Sequence, residues 1–310
     1  MIAPFLLWGT AMVVMRGTLT ETSPLFVAIL RLLPAGLVLL AFRLWQGQAD
    51  LAQPWHPRSW RAWAWILAFG LIDGACFQGF LAEGLEDTGA GLGSVMIDSQ
   101  PLAVALMACW FYRERMGWVG WLSLGLGLLG IGVIGLSPSW GTETFALSAG
   151  EGWMLLASLS MAIGTVMIPQ ISRHVDPVLA TGWHMVIGSL PLVVLSGLTE
   201  TQQWQHLTLE HWLGLIYVSI LGSALAYGLF FYFASHENLT EFSSLTFLTP
   251  VFALICGGIF LGESLSLIQW GGIVVTMLSV MLINGRQEWE NKLRQWLVLT
   301  EISPDLESVE

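Results

Sequence analysis

Ten apolar stretches of about 20 residues follow one another along the chain, separated by short polar breaks, and this recurrence limits the fold more than any other feature. A stretch of that length crosses a bilayer as a helix, because in lipid only a helix or a closed barrel satisfies its own backbone hydrogen bonds. Helices are predicted at about 2–19, 25–45, 63–84, 89–112, 118–136, 149–169, 178–198, 211–234, 240–261 and 267–285. Of the 310 residues 55% are hydrophobic and only 11% charged, whereas a soluble domain carries roughly a quarter charged residues. The expected class is an all-α integral membrane protein with ten transmembrane helices. The longest polar interruption, Gln46 to Arg61, contains Pro54 and Pro57 and is too short to house a soluble domain. The apolar run from Met1 to Met15 lacks the Lys or Arg that opens a secretory signal, so it reads as an uncleaved first helix.

The net charge is −11, but in a membrane protein the placement of charge matters more than its sum. With the amino terminus inside, Arg43, Arg58, Arg61, Arg113, Arg115, Arg173, Arg286, Lys292 and Arg294 fall on one side of the ten-helix arrangement. Glu21, Glu86, Asp87, Glu143, Glu151, Glu200, Glu210 and Glu263 fall on the other. Positive loops stay in the cytoplasm, so both termini are expected inside and the protein is expected in the cytoplasmic membrane. Trp45, Trp55, Trp60, Trp63, Trp65, Trp118, Trp121, Trp212 and Trp270 lie near the predicted boundaries, as an aromatic belt does. In the tail, 286–310, Trp289, Leu293, Trp296 and Leu297 recur at helical spacing, which suits a helix lying on the interface, with disorder expected beyond Pro304.

Internal similarity divides the apolar part into 1–136 and 149–285. Pro101, Glu114 and Trp121 recur as Pro250, Glu263 and Trp270, each displaced by 149 residues, and Pro24 with Arg31 recurs as Pro177 with His184, displaced by 153. A repeat of five helices, being odd, places its second copy upside down in the bilayer. Equivalent loops should then carry opposite charge biases: Tyr112-Arg113-Glu114-Arg115 is basic, and its counterpart Leu261-Gly262-Glu263-Ser264 has lost both arginines. Five-plus-five inverted repeats are a transporter architecture in which interrupted helices meet at a midplane binding site. Pro101 and Pro250 are the matching interruptions and the expected hinges, with a purely structural kink as the other reading.

These residues resemble the EamA type of the drug/metabolite transporter superfamily over essentially residues 1–285. The resemblance rests on Trp8-Gly9-Thr10 followed by Arg16, Leu30-Arg31-Leu32, Gln100-Pro101 leading to Glu114, Leu221-Gly222-Ser223-Ala224-Leu225-Ala226-Tyr227, and Thr249-Pro250-Val251-Phe252 through Gly262-Glu263. It implies ten helices in a five-plus-five inverted repeat, cytoplasmic termini, and a central cavity opening alternately to each side. The family includes exporters of amino acids and other metabolites. The chain departs from the common pattern at Asp73, Gln78, Asp98 and His184, where its particular chemistry is expected.

A charge at the centre of a spanning helix costs about 2.5–3.5 kcal/mol on insertion scales, so such residues are functional candidates unless a partner or snorkelling accounts for them. Five stand out: Arg16, Arg31, Asp73, Asp98 and His184. Arg16 is close enough to a helix end to snorkel. The two aspartates are the expected partners of the arginines, and two readings follow. They neutralise one another in a buried packing network, or a guanidinium recruits a substrate carboxylate while an aspartate takes its ammonium or a proton. Trp8, Phe77 and Tyr227 are placed to line a cavity.

Glu114 and Glu263, beside short turns, read as structural, with Gly262 as a helix C-cap. The glycines at 120, 125, 127, 130, 132 and 135 suit close helix packing within the chain, or a homodimer. Cys76, Cys109 and Cys256 lack the paired spacing of a disulfide framework or zinc site. No nucleophile–base arrangement, phosphate loop or Walker motif is present in the sequence. His206, Glu210 and His211 are a weak metal candidate. The expected function is thus secondary transport of a small molecule, without cofactor, metal or nucleic-acid partner and with the lipid bilayer as surroundings. A membrane receptor or scaffold on the same fold is the alternative.

Overall fold

The computed structural model describes residues 1–49, 57, 59–88, 90–136, 149–261, 266–285 and 289. The described chain is helical: α1 (Ala3–Thr18), α2 (Pro24–Ala49), α3 (Trp60–Phe69), α4 (Phe77–Thr88), α5 (Ala90–Ile97), α6 (Gln100–Phe111), α7 (Trp118–Leu136), α8 (Ala149–Ile171), α9 (Pro177–Thr199), α10 (Leu209–Ser219), α11 (Ala226–His236), α12 (Leu239–Ser244), α13 (Leu248–Leu261) and α14 (Leu267–Asn284). Among the described residues six spans are long and apolar enough to cross a bilayer: Pro24–Trp45, Trp60–Thr88, Ala149–Ile171, Pro177–Thr199, Leu209–His236 and Leu239–Cys256. Shorter apolar helices occur at Gln100–Phe111, Trp118–Gly130 and Trp270–Ile283. Glu263 with Gly262, and all of the tail except Trp289, lie outside the described residues.

The helices carry apolar side chains on their outer faces as well as in the core. On α9 the buried side carries Thr181, His184, Ser189 and Ser196, while Leu190, Val194 and Leu198, one turn apart, are exposed. An outer face this apolar suits lipid, where no water drives apolar side chains inward.

Helix ends follow from local chemistry. Pro177 occupies the first turn of α9, where its missing N–H costs nothing, and Asp176 caps that helix by accepting from Leu179 N at 3.0 Å. Ser59 caps α3 and Asn238 caps α12 in the same way. Thr208 and His211 form a reciprocal capping box on α10. His211 is therefore committed to a helix start, and no metal-binding group of His, Cys, Asp and Glu occurs among the described residues. Helices α2 and α9 pack along their length and are held at both ends. Glu200 accepts from Leu25 N and Phe26 N at 2.7 and 3.1 Å, and Arg43 pairs with Asp176 at 3.4 Å. On α7, Gly127 and Gly130 lie against Phe247, Thr276 and Ser279, so much of the glycine-rich face is spent on α14 of the same chain.

Four long apolar stretches are interrupted in ways that periodicity does not foretell. Between α3 and α4, residues Gly70–Cys76 wind as a π-helix, and between α10 and α11, Ile220–Leu225 do the same. Such segments widen a helix locally and cluster at functional sites. Between α5 and α6 the helix breaks at Asp98 and Ser99, and between α12 and α13 it tightens to a 3₁₀ turn at Leu245–Phe247. Pro101 and Pro250 sit two to three residues past these breaks, in the first turn of the following helix. Lacking an N–H, Pro101 leaves the carbonyl of Ile97 unsatisfied, and Ser158 of α8 donates to it at 3.2 Å.

Candidate functional site

The break beside Asp98 opens onto a cavity bounded by α1, α2, α4, α5, α8, α11 and α13, with about 420 Å³ of space not filled by atoms, its open side included. Its wall is mostly apolar, with Trp8, Met12, Met15, Phe77, Leu81 and Met161 prominent, and carries two opposite ionisable groups, Arg31 and Asp98. Each of these two is only 4% exposed. Arg31 Nε donates to Ser223 Oγ at 2.9 Å, and its guanidinium lies 5.8 Å from the ring centre of Tyr227, within cation–π range. Ser223 belongs to the second π-helix, whose widened turn brings its hydroxyl to α2. Asp98 Oδ2 is buried and has no hydrogen-bond partner among the described residues, an arrangement that is costly for a carboxyl group unless a ligand or a proton meets it.

Tyr227 ties the cavity to the start of α4, because Gln78 Nε2 donates to its hydroxyl at 2.6 Å. These two residues are 149 apart, the spacing of Pro101 and Pro250. Beyond the wall, Trp8 and Tyr227 pack with ring centres 5.0 Å apart, and Phe5, Phe230 and Phe242 extend this aromatic layer to where α1 begins and α11 ends. Near the far end of α1, Arg16 donates to the carbonyls of Leu85 and Glu86, at 3.3 and 2.8 Å. A cation there complements the last turn of α4.

Of the nine residues expected at the site, Trp8, Arg31, Phe77, Asp98 and Tyr227 line the cavity. Gln78 stands behind Tyr227, and Arg16 is committed to a helix end. The expected arginine–aspartate pairing is absent: among the described residues no ion pair within 4 Å joins Arg31 to Asp73 or Asp98. Asp73 instead lies 3.3 Å from His184 Nε2. The reason is close packing of the first π-segment on α9, where a Cβ on Gly188 would fall 2.5 Å from Gly74 Cα. This backbone contact turns Asp73 toward His184, and Gly164 on α8 leaves the room that the carboxylate fills. Met12, Met15, Met161, Ser94, Thr249 and Ser223 were not expected at the site. Only Ser223 and Thr249 fell within motifs that sequence reading had singled out, and the methionines carry no signal distinguishing a cavity wall from a core.

The fold is a helical membrane bundle around a small, mostly apolar cavity with buried opposite charges, and comparison with known proteins gives its class, a multi-pass membrane transporter. The profile described as the EamA-like transporter family matches residues 1–136 and again 148–285, and the chain belongs to this family. It is 52% identical to the uncharacterized transporter sll0355 of Synechocystis, over 95% of this chain and 91% of that one. It is 48% identical to the chloroplastic WAT1-related protein At3g02690 of Arabidopsis thaliana, over 92% of this chain and 68% of that one. A solved crystal structure superposes with a TM-score of 0.72 at 16% identity, covering 90% of this chain and 93% of that one, a likeness of fold.

Proposed function

We propose that this chain is a secondary transporter that exports a small zwitterionic metabolite with an apolar body, such as an amino acid, by alternating access. The observation carrying this reading is the cavity itself: Arg31 and Asp98 share one mostly apolar chamber, and Asp98 Oδ2 has no hydrogen-bond partner among the described residues. A guanidinium suits a carboxylate, an unpaired carboxylate suits an ammonium, and the methionines and aromatic rings between them suit an apolar side chain. In this reading ten spans form two five-helix halves, 1–136 and 149–285, of inverted orientation. The face carrying Arg43, Arg113, Arg115 and Arg173 lies in the cytoplasm, in keeping with the positive-inside rule.

The test is a thermal-shift screen of purified protein against amino acids, sugars, nucleosides and cationic drugs. A ligand at about a hundred times its Kd adds about 2.7 kcal/mol to apparent stability. Amino acids with apolar side chains should raise the melting temperature of the wild type and not of Asp98→Asn. Stabilisation by no compound would favour a receptor or scaffold.

In the same reading Pro101 and Pro250 are hinges, because each follows a break in its helix and cannot restore the hydrogen bond across it. Pro101→Ala and Pro250→Ala should each slow turnover several-fold in proteoliposomes while changing ligand affinity little. Wild-type turnover in both variants would reduce the prolines to packing features.

A further inference from the structure

Two further polar atoms in the cavity wall are as unpartnered as Asp98 Oδ2. Trp8 and Thr249 both line the chamber, 6% and 5% exposed, and neither Trp8 Nε1 nor Thr249 Oγ1 has a hydrogen-bond partner among the described residues. An indole N–H or a hydroxyl buried in this way is uncommon, because it gives up its bond to water and gains none in return. The apolar part of the Trp8 ring, by contrast, is well packed. Tyr227 and Phe230 lie against it with ring centres at 5.0 Å, and Phe5 meets it edge to face at 5.8 Å.

Thr249 is the more informative of the two, since a threonine inside a helix commonly donates to the carbonyl four residues back. Thr18, Thr88, Thr181, Thr199 and Thr276 all do so. For Thr249 that carbonyl belongs to Leu245, in the 3₁₀ turn that precedes α13, and it accepts from Leu248 N. Gln100, 149 positions earlier and likewise just before a proline, spends its Nε2 on Thr165 Oγ1 of α8 at 2.8 Å and does not line the cavity. Helices α1 and α13 meet backbone to backbone here, a Cβ on Gly9 falling 2.8 Å from the carbonyl oxygen of Thr249. Trp8 and Thr249 therefore flank one close contact on the same stretch of wall.

We propose that Trp8 Nε1 and Thr249 Oγ1 form an oxygen-recognising subsite in the cavity, so that the favoured ligand is a zwitterion whose otherwise apolar body carries a hydroxyl or carbonyl oxygen. The indole N–H can only donate, whereas the threonine hydroxyl donates or accepts. An oxygen with free lone pairs meets both, and an ammonium group, which has none, does not suit the indole. The proposal rests on the reading of Arg31 and Asp98 as the partners of a carboxylate and an ammonium, and adds selection among zwitterions. Selectivity follows from pairing: a body without the oxygen displaces water and leaves both wall atoms unsatisfied, while a body carrying it satisfies them.

The test compares amino acids of similar shape with and without an oxygen in the side chain: valine with threonine, leucine with asparagine, and phenylalanine with tyrosine. Dissociation constants are measured on the full chain in lipid nanodiscs. In at least one pair the oxygen-bearing member should bind the wild type about tenfold or more tightly, as a buried neutral hydrogen-bonding site selects. Thr249→Val keeps the shape and Trp8→Phe keeps an aromatic ring; each should shrink that ratio by roughly threefold or more, and Thr249→Ser should retain it. A merely structural role would weaken both members of a pair alike. Equal binding within every pair overturns the subsite and leaves the zwitterion reading standing, and so does a ratio unchanged in both Thr249→Val and Trp8→Phe. If only a sugar or a nucleoside binds, the zwitterion reading falls. The oxygen subsite then stands if that compound loses affinity in Thr249→Val and Trp8→Phe, and is overturned if it does not. Binding by none of these compounds overturns both. Should Trp8→Phe not fold, Thr249→Val against Thr249→Ser still decides.

Discussion

Arg31→Ala and Asp98→Asn should each abolish transport while the protein still inserts, and the double variant should remain inactive. Truncating one partner of a buried charged contact costs about 2–5 kcal/mol, which at 1.4 kcal/mol per decade is a loss of roughly thirtyfold to several thousandfold in apparent affinity. The double variant carries the decision. A structural ion pair leaves an unpaired charge when broken singly and recovers when both members go. Arg31 and Asp98 share a cavity wall without an ion pair between them, so, on the proposed reading, removing both would remove two independent contacts to the substrate and restore nothing. Arg31→Lys keeps the charge but loses the planar fork that reaches Ser223, and an intermediate defect is expected. The measurement is uptake or efflux in vesicles alongside the melting temperature of each variant. Recovery of transport in the double variant would leave both residues as scaffolding.

The second large effect concerns stability. Gly188→Ala should lower stability on the order of 2–3 kcal/mol, because its Cβ would meet Gly74 Cα at 2.5 Å and Gly70 O at 2.6 Å. These are backbone atoms, and no flexible side chain can retreat to make room. Gly164→Ala should behave similarly, since its Cβ would fall 2.4 Å from Asp73 Oδ1. Gly197→Ala, on the same helix as Gly188, meets nothing within 4 Å and should be neutral or slightly stabilising, as alanine favours a helix over glycine by up to about 1 kcal/mol. Thermal melting in detergent compares the three. A Gly188→Ala protein as stable as Gly197→Ala would refute the close approach of the first π-segment to α9, and with it the physical reason for the His184–Asp73 contact.

Several helix positions were legible in the sequence to within a few residues, because hydrocarbon imposes one rule on every segment that crosses it, whereas the stretches expected at 89–112 and 240–261 are broken. The seventh apolar stretch, expected at about 178–198, is found at Pro177–Thr199, bounded by a proline and a capping aspartate that local chemistry makes unambiguous. The sites of Arg31, Asp98, Trp8, Phe77 and Tyr227 were legible too, since charges and aromatic rings amid apolar runs stand out against their background. The partners were not. Asp73 and Asp98 look alike in the sequence, each a lone carboxylate deep in an apolar segment, yet one faces a histidine and the other a cavity.

What the sequence determined by itself is therefore the solvent of this protein, the course of its helices, its family and the set of side chains too polar to be incidental. Hydrophobic length and charge placement are properties of single segments, and a single segment reports them. Only the tertiary structure decided which polar groups meet. That depends on backbone-to-backbone approach at Gly74 and Gly188 and on the extra width of two π-helical turns, which turn Asp73 to His184 and Ser223 to Arg31. Such rotations follow from packing between helices far apart in the chain, and no local pattern of residues encodes them.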